Sequence, residues 1–252
     1  DYELHLFNSF GYTKFADAVA NVIAGQFDIV LYSQVWEYGG NGDGRGFINA
    51  LVDKAVSAGI IWINAAGNLG RLTRIAFVDG KLEGKDEWVV FKKDNGQSSD
   101  GVNISCMAPA DGKCGLRLVL SWNDFKDEPE IGTDMDLDLF LFDRAKKKVV
   151  SSERNQMLKL NPADKLASLY PREIIETKIS PGIYKVRVKV KSKNFSPSPH
   201  KLRITAAGMG IAMDQPSVAE TLLPPADNLG VIVVGASDDI QSSSSKKSGQ
   251  PS

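Results

Sequence analysis

Apolar residues recur along this chain with two different periods, and the period changes near residue 72 and again near residue 214. In residues 13–24, Phe15, Ala16, Val19, Val22 and Ile23 fall at helical spacing, and Gly25 stands where a C-terminal cap belongs. A second helix is predicted over 46–58, where Phe47, Ala50, Leu51, Ala55 and Ala58 share one face and Gly59 follows. Residues 28–32, 60–63 and 231–234 are short β-rich runs with no polar alternation, and 2–7 is a further candidate strand. Strands apolar on both faces and separated by helices predict a parallel sheet covered on both sides.

Between these outer stretches the period falls to two. Tyr184, Val186, Val188 and Val190 alternate with Lys185, Arg187, Lys189 and Lys191, as in an antiparallel strand with one wet face. Leu116, Leu118, Leu120 and Trp122 form a second such set, and Leu137, Leu139 and Leu141 a third. Residues 88–91, 102–107, 149–151, 174–178 and 202–205 complete about eight candidate strands. Turn signals separate them at Asp111-Gly112, Pro181-Gly182 and Ser196-Pro197-Ser198-Pro199. An all-β sandwich of jelly-roll type is expected for 72–213, inserted into a discontinuous α/β unit made of 1–71 and 214–252.

Composition narrows the function classes. Hydrophobic residues make up 42% of the 252, and 30 basic against 31 acidic side chains leave a net charge of -1. That balance argues against nucleic acid as a partner. No apolar run approaches ~18 residues, so no membrane span is expected. The start at Asp1 suggests a mature or trimmed fragment.

The most informative stretch is 28–70. A strand ends in Ser33, a glycine-rich loop and a helix ending Ala58-Gly59 follow, then a buried strand and Ala65-Ala66-Gly67-Asn68. Near the other end, Asn228-Leu229-Gly230 leads into Val231-Ile232-Val233-Val234-Gly235-Ala236, and a Ser-rich stretch lies over 242–249. This order resembles the subtilisin-like serine peptidases. The resemblance covers the outer stretches only, and implies a partial subtilisin-like parallel α/β sheet interrupted by the jelly-roll-like sandwich. It assigns Asn68 as the side-chain donor to the oxyanion formed when serine attacks a peptide carbonyl, a donor whose removal costs ~10²–10³ in kcat. It places Ala65, Ala66 and Gly67 on one side of the pocket before the scissile bond. It places Ser33, Gln34, Val35 and Trp36 on the segment that pairs with the backbone of a protein or peptide substrate. On the residues alone, Asn68 is otherwise an asparagine ending a strand in a turn, and Trp36 an ordinary core or surface aromatic. Family members carry glycines after this serine, whereas this chain has Gln34-Val35-Trp36-Glu37 before Gly39-Gly40, which reshapes the pocket.

A peptidase of this kind needs a serine, a histidine and an aspartate together. The chain has no Asp-Ser/Thr-Gly, His-Gly-Thr or Gly-Thr-Ser, and its histidines, His5 and His200, lie in other contexts. The expectation is therefore a central slice of a serine endopeptidase, inactive as it stands. A non-catalytic binding or adhesion module on a vestigial scaffold is the alternative. The glycine-rich loop at 39–46 lacks the spacing of a nucleotide cradle.

The inserted sandwich resembles the accessory domains of secreted peptidases, of pre-peptidase C-terminal and convertase P type. The residues concerned are 118–122, the Asp-Leu-Asp-Leu run at 136–139 and Pro181-Gly182-Ile183-Tyr184. It is expected to restrict or position substrates. No cofactor is required by this chemistry. Asp134, Asp136 and Asp138 at alternate positions are a candidate calcium set, or simply a strand's wet face. Cys106 and Cys114, eight apart, are expected to close a hairpin as a disulfide, which favours a secreted, cell-surface or periplasmic location. Two reduced thiols are the alternative.

Overall fold

The computed structural model of the protein describes residues 2–83, 87–92, 96–109, 112–156, 167–192, 195, 201–217 and 221–236. His200, the Ser196–Pro199 turn and the Ser-rich 242–249 stretch lie outside the described residues. The chain begins with helix α1 (Tyr12–Ala24), strand β1 (Ile29–Tyr32), helix α2 (Phe47–Ser57) and strand β2 (Ile61–Ala65). After a 3-10 turn at Gly70–Leu72 come β3 (Thr73–Glu83), β4 (Trp88–Lys92), β5 (Ser98–Ser99), β6 (Val102–Cys106) and β7 (Cys114–Trp122). Then follow β8 (Leu137–Asp143), β9 (Lys148–Ser152), β10 (Arg172–Ile179), β11 (Gly182–Val190), β12 (Lys201–Ala207), β13 (Ile211–Met213) and β14 (Ile232–Val234).

This arrangement corrects the expected fold class. The parallel part is a sheet of three short strands in the order β1-β2-β14, and the described residues hold only two α-helices. The other eleven strands pair antiparallel throughout, so the described chain is mainly β and is not an α/β subtilisin-like sheet. The physical reason lies in residues 73–213. Period-two segments there satisfy their backbone groups strand to strand and dominate the regular structure. Among the described residues the parallel sheet is covered on one side only, not on both as expected. α1 and α2 bury Phe15, Val19, Val22, Val52, Ala55 and Trp62 on one face, while Ile29, Leu31, Ile61, Ile232 and Val234 on the other are exposed. Residues 2–7, expected as a strand, join no ladder among the described residues.

The antiparallel strands run in the order β10-β7-β12-β3-β4-β11-β6-β13, with β8 also pairing β11 and β9 joined to β8. β3 belongs to both halves of this path. Its residues 73–77 pair with β12, and 78–83 pair with β4, with a register shift between Val78 and Leu82. One strand that crosses between layers lets the two halves close over a common core. That core holds Leu116, Leu118, Leu120 and Trp122 of β7 against Leu137, Leu139, Leu141, Val186 and Val188. All three sequence sets turn their apolar residues to the core as expected, but β7 over 118–122 and β8 over 137–141 are buried on both faces instead of wet on one.

Cys106 and Cys114 are joined in a disulfide with Cα atoms 5.8 Å apart. The strands they end do not form the expected hairpin: β6 pairs with β11 and β13, and β7 with β10 and β12. The bond therefore links two strands that share no ladder.

Candidate functional site

Two short segments leave the parallel sheet side by side. Residues 33–36 continue from β1, and 65–68 form the end of β2 and the turn after it. Because β1 and β2 pair in register, with Tyr32 opposite Asn64, the two segments emerge at the same level. In open sheets of parallel strands, the crevice beyond the carboxyl ends is where ligands bind.

Asn64 fastens the two segments together. It is fully buried, and its amide donates to Gln34 O at 3.1 Å and to Ala65 O at 2.9 Å. Its Oδ1 accepts from Trp62 Nε1 at 3.1 Å. Sequence reasoning passed over this residue, although an asparagine closing the apolar run at 60–63 was a visible signal. The second fastening is at Gly67, whose φ is +85° and which sits so close to Val35 that a Cβ there would lie 2.8 Å from Val35 Cγ2. A third runs to the last strand, where Ala66 N donates to Val234 O at 2.9 Å.

Ser33, Gln34, Gly67 and Asn68 are exposed, and Val35, Trp36, Ala65 and Ala66 are half-buried. Among the described residues the Asn68 side chain makes no hydrogen bond, so its amide is free to donate to a ligand. An amide keeps its N–H groups at any working pH, which suits a fixed donor. Trp36 serves the core. Its indole N–H donates to Tyr32 Oη at 3.1 Å, and its ring contacts Phe15 and Tyr38. Burial raises the pKa of the Tyr32 phenol, so it stays neutral as the acceptor. The Trp36 backbone N–H is taken by Pro224 O at 2.7 Å, which brings 221–226 alongside the same segment.

The antiparallel layer holds this region from outside. Arg117 on β7 donates from Nε to Glu37 at 2.6 Å and also pairs with Glu176. Arg172 on β10 stacks on the Tyr38 ring at 3.7 Å. Arg203 on β12 donates to Leu222 O at 3.3 Å. Asn41 and the Phe125 backbone exchange two hydrogen bonds of 2.9 Å. The Asp127 carboxylate accepts from Gly46 N at 3.0 Å, facing the start of α2 where a negative charge is favoured.

His5 pairs with Glu3 at 2.9 Å and rests on the Phe27 ring. The candidate calcium residues do not share one environment: Asp136 and Asp138 are buried, whereas Asp134 is exposed. Among the described residues, no three histidine, cysteine or acidic side chains are grouped so as to hold a metal ion. Asp136 and Asp138 instead belong to a buried polar cluster with Glu173, Gln156, Ser152 and Ser192. Leu137 N donates to Gln156 Oε1 at 3.2 Å, and Gln156 donates to Glu173. Burial raises the carboxyl pKa of Asp136 and of Glu173, and pushes that of Asp138 up to about 7.

No protein-family model matches the chain, and no curated protein matches it by sequence. Among solved structures it is similar to the CspB protease of Clostridium perfringens, with a TM-score of 0.47 and 14% identity over 90% of this chain. The chain spans 46% of the length of that protein.

Proposed function

We propose that the chain carries the oxyanion donor and part of the substrate cleft of a secreted subtilisin-like serine endopeptidase. The observation that carries this reading is the free, exposed Asn68 amide, held on a turn that Gly67 and Asn64 lock against the 33–36 segment. Exposed Ser33 and Gln34 offer backbone groups beside that amide, the arrangement by which an extended peptide adds to an edge. The serine, histidine and aspartate of the reaction come from residues beyond this sequence, and the unit 72–213 is a domain inserted into 1–71 and 214–252. A disulfide that persists in an oxidising compartment supports export. Calcium is not part of this reading, since Asp134 stands apart from Asp136 and Asp138.

Two measurements test the proposal. In the longer protein containing this chain, Asn68→Ala should lower kcat for peptide hydrolysis by about 10²–10³ while changing KM little. In the 252-residue chain, nuclear magnetic resonance titration with an extended peptide should shift the amides of 33–36 and 65–68. An undiminished kcat, or shifts confined to other surfaces, would overturn the reading.

A further inference from the structure

The outward side of β11 presents Lys185, Arg187 and Lys189, with Lys191 following the strand, while Val186, Val188 and Val190 face the core. In register beside these cations stand Phe142, Phe140 and Trp88: Lys185 is opposite Phe142, Arg187 opposite Phe140, and Lys189 opposite Trp88. Three aromatic rings on the outer side of a sheet are unusual, because that side is normally polar. Here they form one cluster, with Trp88 5.0 Å from Phe140 and 6.0 Å from Phe142. Cations sit around it: Arg187 lies 4.3 Å and Lys189 5.8 Å from the Trp88 ring centre, and Lys148 lies 5.7 Å from Phe140. Among the described residues the acids on this side are Asp100, bound to Lys185 at 2.5 Å and accepting at its backbone oxygen from Arg187 Nε; Glu153, 3.5 Å from Lys148; and the buried Asp138, opposite Lys189 in register and 3.8 Å from Lys191. A chain of net charge -1 thus gathers cations along one strand.

We propose that this face binds a linear acidic polysaccharide, with carboxylate or sulfate groups meeting the cations and sugar rings resting on the edges of Trp88 and Phe142. Alternate residues on a strand stand ~7 Å apart, so the row matches a polymer with charge repeated along its length rather than a single anion. Aromatic side chains supply flat apolar area at small entropic cost. A single-stranded nucleic acid fits less well. Its affinity rests on bases stacking on open ring faces, yet Arg187 covers one face of Trp88 and Phe140 is only 7% exposed. The site is separate from the Asn68 cleft and does not depend on the peptidase reading.

The test is retention of the 252-residue chain on immobilised heparin, compared with neutral dextran and with an oligothymidylate. Heparin should retain the chain at low salt and release it as salt rises. Arg187→Glu with Lys189→Glu should weaken heparin binding at least about tenfold, whereas Lys14→Glu, on α1, should elute with the wild type. Because Arg187 also braces Trp88, Lys148→Glu on the β8–β9 hairpin serves as a second variant and should also elute earlier. The proposal is overturned by failure to bind heparin, by equal binding to dextran, by tighter binding to oligothymidylate, or by a Lys14→Glu loss as large as the others.

Discussion

Asp138 gives the chain a specific dependence of stability on pH. Its side chain is 2% exposed, and its Oδ2 makes no hydrogen bond. The nearest opposite charge is Lys191 Nζ, at 3.8 Å. Burial dominates the balance, the Lys191 charge opposes it, and the neighbouring Asp136, Glu153 and Glu173 reinforce it, leaving a carboxyl pKa of about 7 against an ordinary 3.8. The native state therefore keeps a proton that the unfolded chain releases near pH 4. Between that point and about pH 7 the folded form binds more protons, so stability falls as pH rises across the window and levels off above it. Three units at 1.36 kcal/mol each set the effect at about 4 kcal/mol when fully developed. Asp136 and Glu173, also raised chiefly by burial, contribute with the same sign.

Asp138→Asn mimics the protonated acid without titrating. Urea unfolding of wild type and variant should give similar stabilities at about pH 4.5 and diverge with rising pH, the variant being the more stable by up to about 4 kcal/mol at pH 8. The difference between the two proteins isolates this residue from every other titration. A variant less stable than wild type at pH 8, or a difference independent of pH, would refute the reasoning.

Gly67→Ala combines a φ of +85° with a 2.8 Å approach to Val35, whereas Gly59→Ala combines a φ of +91° with open space. Thermal unfolding should show the first to be the costlier by about 1–2 kcal/mol, and equal losses would mean that the Val35 contact carries nothing. Reduction of Cys106–Cys114 by an added thiol should add two hydrogen atoms by intact mass and lower stability by about 2–3 kcal/mol, the loop-closure figure for eight residues. The side of the parallel sheet left bare by the described residues, with Leu31 at 74% and Ile232 at 55% exposure, should make the 252-residue chain self-associate. Leu31→Lys with Ile232→Lys should shift sedimentation toward monomer, and a wild-type chain that stays monomeric at high concentration would contradict this.

Much of the element order was legible because buried residues repeat at the period of the structure they form. Phe15, Val19 and Val22 marked α1, and Leu116, Leu118 and Leu120 marked β7. Periodicity says which side of an element is apolar, not what lies against it. Ile29 and Leu31 read as buried on the strength of their chemistry and are exposed. The alternation of Asp134, Asp136 and Asp138 does not put them on one face for a related reason. β8 begins at Leu137, so Asp134 precedes the pleat that would have aligned the three. Cys106 and Cys114 were close enough in sequence to read as a hairpin, yet spacing carries no record of which partners each strand takes. In the candidate site, the assignment of Asn68 rests on its neighbours in sequence, whereas the Arg117–Glu37 contact spans 80 positions and leaves no local trace.

That long-range seating bears on the role proposed for 72–213. Phe125 and Tyr170 lie within 72–213, yet both pack on Phe47 in the cluster beneath the helices, at 5.6 and 5.1 Å between ring centres. Arg117, Arg172 and Arg203 reach from three neighbouring strands to Glu37, Tyr38 and the Leu222 carbonyl. Excising 72–213 would therefore strip apolar cover from α2 and release the segment that follows Trp36. Altered peptide selectivity after excision would not separate a lost substrate contact from a loosened cleft. Arg117→Gln separates them, because it keeps the sandwich and its core while removing the charge that grips Glu37. If the sandwich acts by holding the 33–36 segment in place, this single change should reproduce the selectivity effect of excision. If it acts only by standing over the cleft, Arg117→Gln should leave selectivity as it was.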